Sequence, residues 1–479
     1  MDGSKFYING AWVDPIESRM IDVINPADES VIGQVALGGQ KDVDAAVSAA
    51  RAAFPAWSAT SREDRLEILE RVLAEFKARH DEFGKIISQE MGAPAGFARQ
   101  FHAGLGITHL KVAAKTLADY HFEEVRGTTQ IVQIPIGVCG LITPWNYPIN
   151  QIAAKVAPAL ATGCTMVLKP SEVSPYSAIL WTQVLEAAGV PPGVFNLVNG
   201  DAVTGRALSE HPDVDMISIT GSTTAGIDVA QRAAPTVKRV GQELGGKSAN
   251  ILLDGPGFEA AVATGVKRLM TNSGQTCSAP SRMLVPNSRM ADAARIASEV
   301  AATLSVGDPM GNPDLGPVAT EAQWNKVQEY IQSGIDEGAR LSAGGLGRPD
   351  GLAKGYFVKP TIFAQVRNDM RVAREEIFGP VLCIIGFDDL DDAIRIANDS
   401  LYGIAAYISG DAAEDVRKVA AGLRVAQVAL NGTPSDPTAP FGGFRRSGNG
   451  REWGAYGFHE YLEYKTVLGD PALKKAEPA

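Results

Sequence analysis

From about Ile131 onward, short apolar runs alternate with helical patterns, and this rhythm restricts the chain to few architectures. Val138–Ile142 reads as a strand, Pro148–Ala161 as a helix closed by Gly163, and Met166–Leu168 as a second strand. Ala178–Ala188 is a helix ended by Gly189, followed by a strand over Val194–Val198, a short helix over Ala202–Ser209 and a strand over Met216–Ile219. Strands this short and this uniformly apolar are buried on both faces, which predicts a parallel sheet with helices on each side. A second series follows Gly246. It has helices over Ala260–Met270, Ala291–Thr303 and Glu321–Gly334, with strands over Met283–Val285, Val381–Phe387 and Ile404–Ile408. Two α/β lobes are therefore expected, meeting near Glu243–Lys247.

The first hundred residues read mainly as helices after an extended lead-in. Val43, Ala46, Val47, Ala50 and Phe54 keep helical spacing, and Ser61-x-x-Asp64 forms a capping box ahead of Leu66, Leu69, Leu73 and Phe76. A break is expected near Gly84 and a stop by Gly92 and Pro94. At 479 residues the chain is too long for one core. Its net charge of −11 argues against a nucleic-acid or anionic-membrane surface. Cys139, Cys164, Cys277 and Cys383 lie far apart without metal spacing, as in a reducing compartment. The six histidines form no metal-spaced cluster. With no signal peptide and no apolar run of about 18 residues, a soluble cytoplasmic protein is expected.

Ligands of parallel sheets sit at the carboxyl ends of the strands. Asn146, Lys169-Pro170-Ser171-Glu172 and Gly221-Ser222 fall there. No strict G-x-G-x-x-G occurs, but Gly221–Gly226 follows a strand and opens a helix, where backbone amides can hold a pyrophosphate. Glu172 can accept ribose hydroxyls and would repel a 2′-phosphate, so NAD is favoured over NADP, without NADP being forbidden. Three cysteines sit in apolar context and read as packing. Cys277 instead follows the small, polar Thr271–Thr276 and lies on no apolar stripe, so both packing and nucleophilic chemistry are open to it. Glu243, ordinarily a surface acid, precedes Leu244-Gly245-Gly246, where the backbone can pack closely and desolvate a carboxylate into a base. Asn146 fits a proline-rich turn, yet its side chain can also donate to a developing oxyanion.

Taken in order, Pro144-Trp145-Asn146-Tyr147-Pro148, Glu243-Leu244-Gly245-Gly246-Lys247, Gly274-Gln275-Thr276-Cys277 and Glu375-Glu376-Ile377-Phe378-Gly379-Pro380 resemble the NAD(P)-dependent aldehyde dehydrogenase superfamily over nearly the whole chain. The resemblance implies a Rossmann-type NAD-binding lobe (1–122 and 136–245), a catalytic α/β lobe (246–446), and a strand-rich oligomerisation arm with C-terminal segment (123–135 and 447–479). It implies catalysis by Cys277, Glu243 and Asn146, giving a carboxylic acid through a thiohemiacetal and a thioester. Cofactor contacts are implied at Ile142, Thr143, Pro144, Trp145, Lys169, Ser171, Glu172, Gly205, Gly221, Ser222, Leu244, Glu376 and Phe378. The pocket for a small-molecule aldehyde is implied at Tyr147, Gln151, Ala154, Thr276, Ser278 and residues 431–440. Ala154 is small where relatives carry an aromatic, so a roomier channel is expected. No charged residue occupies the near-motif positions Tyr147, Gln151, Ala154, Thr276 and Ser278, so a strongly anionic substrate is not indicated. Ala426 stands where relatives commonly have glycine. A homodimer or homotetramer is implied. The alternatives are a CoA-acylating semialdehyde dehydrogenase, which commonly lacks the acid at 243, and a non-catalytic relative, which would be expected to lose one of the three catalytic residues.

Overall fold

A computed structural model describes residues 2–17, 19–470 and 472–473. Its first sheet has eight strands. The five central ones are parallel, in the spatial order Arg239–Glu243, Met216–Thr220, Val138–Ile142, Thr165–Lys169, Phe195–Leu197. Phe6–Ile8 and Ala11–Val13 extend one edge antiparallel, and Gly448–Asn449 extends the other. The order reverses between Val138–Ile142 and Met216–Thr220, which opens a crevice at their carboxyl ends. Helix Pro148–Thr162 leaves the first of these strands. It begins on a proline, whose missing N–H costs nothing at a first-turn position, and ends on Gly163 at φ 87°. Nearly every residue of it is buried, which suits an apolar helix lodged between layers.

The second sheet has seven strands, in the order Arg340–Ala343, Thr361–Ala364, Val381–Phe387, Arg282–Pro286, Ala249–Leu252, Ala405–Ser409, Gln427–Leu430, all parallel except the first pair. Thr129–Pro135 pairs antiparallel with Glu123–Arg126 on one side and Leu462–Val467 on the other in a small third sheet, while Arg19–Ile24 and Val31–Leu37 form a two-stranded ribbon. Before joining that third sheet, the chain returns to the first lobe through helix Gly454–Glu460, which packs on helices Gly104–Asp119 and Pro148–Thr162.

The capping box at Ser61 and Asp64 is present, with Ser61 Oγ accepting from Asp64 N at 3.1 Å. The expected break at Gly84 is not. Helix His80–Met91 runs through it, and the interruption falls at Arg79. Gly84 is needed for packing, because a β-carbon there would lie 2.7 Å from Arg99 Cα in the neighbouring π-helical turn Ala98–Ala103. Strand Ala249–Leu252 and helices Leu390–Asn398 and Ala413–Gly422 were not anticipated. The strand is four residues long and lacks alternation, so only its place between two parallel neighbours reveals it. Among the described residues, no helix is long and apolar enough to cross a membrane.

Candidate active site

A cavity of about 190 Å³ lies at the crevice of the first sheet, where the second lobe meets it. Pro144, Trp145 and Asn146 enter it from the loop after Val138–Ile142, and Thr220, Gly221 and Ser222 from the end of the neighbouring strand. Leu244 and Gly245 come from the interlobe segment, and Cys277, Glu376 and Phe378 from the second lobe. The structure therefore gathers residues from all four motifs. Gln323 and Lys326 also line the cavity and were missed, because they sit on a helix with no motif of its own. The helical spacing of that segment was legible, but nothing local to it marks these two polar residues as facing a cleft.

Cys277 follows a backbone of unusual shape. Asn272, Ser273 and Gly274 have φ of 55°, 54° and 74°, a left-handed run that non-glycine residues rarely adopt. Buried side chains hold it there. Asn272 Nδ2 donates to Asn146 O at 3.0 Å and Gln275 O at 3.2 Å, and Gln275 Nε2 donates to Asn272 O at 3.0 Å. Ser273 Oγ donates to Gly316 O at 2.7 Å. Asn146 joins the same network, its Nδ2 donating to Gln275 O at 3.1 Å, which leaves its second N–H for another acceptor. On either side of the thiol stands a tyrosine hydroxyl: Tyr147 Oη is 3.0 Å from Thr276 Oγ1, and Tyr407 Oη donates to Ser278 O at 2.9 Å. The Arg268 guanidinium lies 4.0 Å above the Tyr407 ring. Burial, together with the charges of Glu376 and Glu243, pushes the Cys277 thiol up to about 12, so the resting sulfur is protonated.

Glu243 ends its strand with a buried side chain, 4% exposed, and neither oxygen has a hydrogen-bond partner among the described residues. Burial first, and then the charge of Glu452, holds its carboxyl well above the usual range, while Lys155 and Arg451 oppose the shift. Glu243 does not line the main cavity but a separate hollow, lined also by Ala154, Ser218, Glu452 and Tyr461. Lys155, on the helix after Asn146, forms a buried ion pair with Glu452 and donates to Ser218 Oγ at 3.1 Å. Neither partner of that pair carries a motif that would have pointed to it.

The remaining predicted cofactor residues fall around the crevice. Ser222 Oγ accepts from Ala225 N at 3.2 Å, capping helix Thr223–Ala233 with its first turn toward the cavity. Lys169 is buried and donates to Gly200 O at 2.7 Å, with Glu172 3.9 Å away. Gly205 faces Lys169 and Ile142, Ser171 Oγ accepts from Val173 N at 3.2 Å, and Thr143 N donates to Lys169 O at 3.2 Å. Glu376 accepts from Gly246 N at 2.8 Å, and a side chain on Gly245 would collide with its carboxylate. Trp145 and Phe378 meet edge to face, centroids 5.5 Å apart, and Phe378 has φ 61°. A capped helix end, a glycine-lined passage and an aromatic slot at the topological switch suit a dinucleotide. Of the predicted pocket residues, Tyr147 and Thr276 meet beside Cys277. Gln151 and Ala154 lie farther along the helix and are buried.

A model of the aldehyde dehydrogenase family matches residues 12–467. The chain belongs to the aldehyde dehydrogenase family. Within that family it is 55% identical to 3-succinoylsemialdehyde-pyridine dehydrogenase of a Pseudomonas species, over 98% of this chain and 99% of the relative. Among solved structures it is similar to aldehyde dehydrogenase C of Pseudomonas syringae, a cysteine-to-alanine mutant complexed with NAD+ and octanal. There the identity is 53%, the TM-score 0.97, and the match covers 98% of this chain and 97% of that one. Betaine aldehyde dehydrogenase of Staphylococcus aureus, in complex with NAD+, is 34% identical with a TM-score of 0.95, covering 98% of this chain and 95% of that one.

Proposed function

We propose that this family member oxidises an uncharged aldehyde with an apolar tail to the carboxylic acid, using NAD. The observation that carries this reading is one cleft lined by Cys277, Asn146, the switch-point residues Gly221 and Ser222, and Gly245 and Phe378. Similarity to relatives complexed with NAD+ and octanal supports the choice of cofactor and of tail. The Cys277 sulfur adds to the aldehyde carbon as its proton passes to solvent water, and Asn146 with the Cys277 amide receives the new oxyanion. NAD, when bound, supplies the acceptor for the hydride that leaves the thiohemiacetal. Ile142 to Trp145, Lys169, Ser171, Glu172, Gly205, Gly221, Ser222, Leu244, Glu376 and Phe378 would hold it, with Glu172 disfavouring a 2′-phosphate. The product of that loss is a thioester on Cys277. Glu243 has no hydrogen-bond partner among the described residues, and its side chain would turn from its hollow toward the thioester. It is basic enough to take a proton from water as that water attacks the thioester, releasing the acid and restoring the thiol.

The carboxylate at 243 favours hydrolysis over transfer to coenzyme A. A panel of aldehydes assayed for NADH production, with and without coenzyme A, tests this reading. Coenzyme A-independent turnover is expected, and strict dependence on coenzyme A would refute it. The lobes divide in function as 1–122 with 136–245 for cofactor, 246–446 for catalysis, and 123–135 with 447–479 for assembly; residues 471 and 474–479 lie outside the described residues. The third sheet exposes Val125, Ile134 and Tyr464, and Leu468 is exposed directly after its last strand, an apolar surface that pairing with a second copy would cover. A cytoplasmic homodimer, paired further into a tetramer, fits that surface and the four free cysteines.

A further inference from the structure

Because the cofactor cleft occupies one side of Cys277, the aldehyde's tail has to leave the reacting carbon on the other, and helix Pro148–Thr162 marks that direction. The helix starts beside the nucleophile, where Tyr147 meets Thr276. The face that continues from Tyr147 carries Asn150, Gln151 and Ala154, the last about 10 Å farther along at 1.5 Å per residue. Ala154 leaves a gap in this face. A residue from the far end of the sequence faces it, for Ala154 and Trp453 line the same hollow of about 20 Å³ together with His109. The Trp453 ring stacks on Phe441, centroids 4.4 Å apart and planes inclined by 20°. The His109 ring lies 5.6 Å away, with Nε2 2.8 Å from Asn150 Oδ1.

The backbone at Trp453 is strained to achieve this. Its φ of 73° and ψ of 150° belong to a region that is essentially glycine's, and such a conformation persists only where the surroundings enforce it. They do so on both sides. Glu452 exchanges two 2.8 Å backbone hydrogen bonds with Phe441 and is paired with Lys155. Gly454, at φ 52°, is pressed against Thr438 O so closely that no side chain would fit.

We propose that Trp453 is the specificity-determining residue for the aldehyde's tail. Its enforced backbone turns the indole into the space that Ala154 leaves, so the tail meets a flat apolar wall in place of an open channel. Straight or planar apolar tails long enough to reach the wall are selected, and tails branched at that depth are rejected. This inference rests on the proposed oxidation of aldehydes at Cys277. The test compares kcat/KM with NAD for acetaldehyde, which is too short to reach the wall, octanal, and 3,7-dimethyloctanal, in wild type, Trp453→Leu and Ala154→Leu. Trp453→Leu is expected to lower the octanal-to-acetaldehyde ratio about tenfold and to raise 3,7-dimethyloctanal relative to octanal. Ala154→Leu, which narrows the same place from the helix side, should lower the octanal-to-acetaldehyde ratio with Trp453 intact, and it decides the question if Trp453→Leu does not fold. Ratios unchanged in the variants, with all three aldehydes falling together or none falling, would overturn the inference while leaving the oxidation itself standing. A wild type that reduces NAD with no aldehyde would instead remove the reading beneath it.

Discussion

The turn that carries Cys277 and the strand end that carries Glu243 are built by opposite means. Asn272, Ser273 and Gln275 spend their side chains on backbone carbonyls, and Tyr147 and Tyr407 brace the flanking residues, so Cys277 is located by hydrogen bonds. Glu243 has no hydrogen bond to either oxygen among the described residues. What governs it is desolvation and the neighbouring Glu452. The contrast follows from the two jobs. A nucleophile must meet one carbon in one geometry, which rewards preorganisation. A base must be strong and must turn between positions, and each hydrogen bond to its carboxylate would lower its basicity and tether it.

The sharpest way to break the comparison is to remove the sulfur. Cys277→Ala should lose aldehyde oxidation altogether while still binding NAD by calorimetry, since the cofactor contacts come from other segments; appreciable turnover would mean that the nucleophile lies elsewhere. Next comes Glu243→Gln, whose steady-state kcat should fall by about 10²–10⁴ through loss of the general base. Asn146→Ala should lower kcat by about 10²–10³, as expected for an oxyanion donor, with less change in KM. If KM rises instead, Asn146 serves the turn through Gln275 and not the reaction.

A smaller effect concerns stability. The Glu243 carboxyl lies above its ordinary value in the folded chain, so folding favours the protonated form. That contribution is present at low pH and is lost as pH rises from the usual carboxylate range through the folded value. Glu243→Gln should therefore melt higher than wild type, with the gap wider at pH 8 than at pH 5. A gap independent of pH would mean that the carboxylate is better solvated than its surroundings indicate.

Legibility in the sequence divided along similar lines. Val138–Ile142 and Val381–Phe387 were read to the residue, because buried parallel strands are uniform apolar runs bounded by turn residues. The three residues proposed for catalysis were legible because their motifs are local. What makes them work was not. The Lys155–Glu452 pair behind Glu243, the Tyr407 hydroxyl at Ser278, and Gln323 and Lys326 in the cleft all come from remote segments without motifs. Ala154 was legible as a small residue, whereas Trp453, which lines the same hollow from a remote segment, carried no signal in the sequence.

The central claim is that bonding locates the nucleophile while desolvation empowers a separate base, and rapid mixing of Glu243→Gln with aldehyde and NAD tests it most directly. Absorbance should show a stoichiometric burst of NADH followed by very slow turnover, and acid quenching with mass analysis should find the acyl group on Cys277. A burst that falls in step with the steady-state rate, with no acyl adduct on Cys277, would contradict the account.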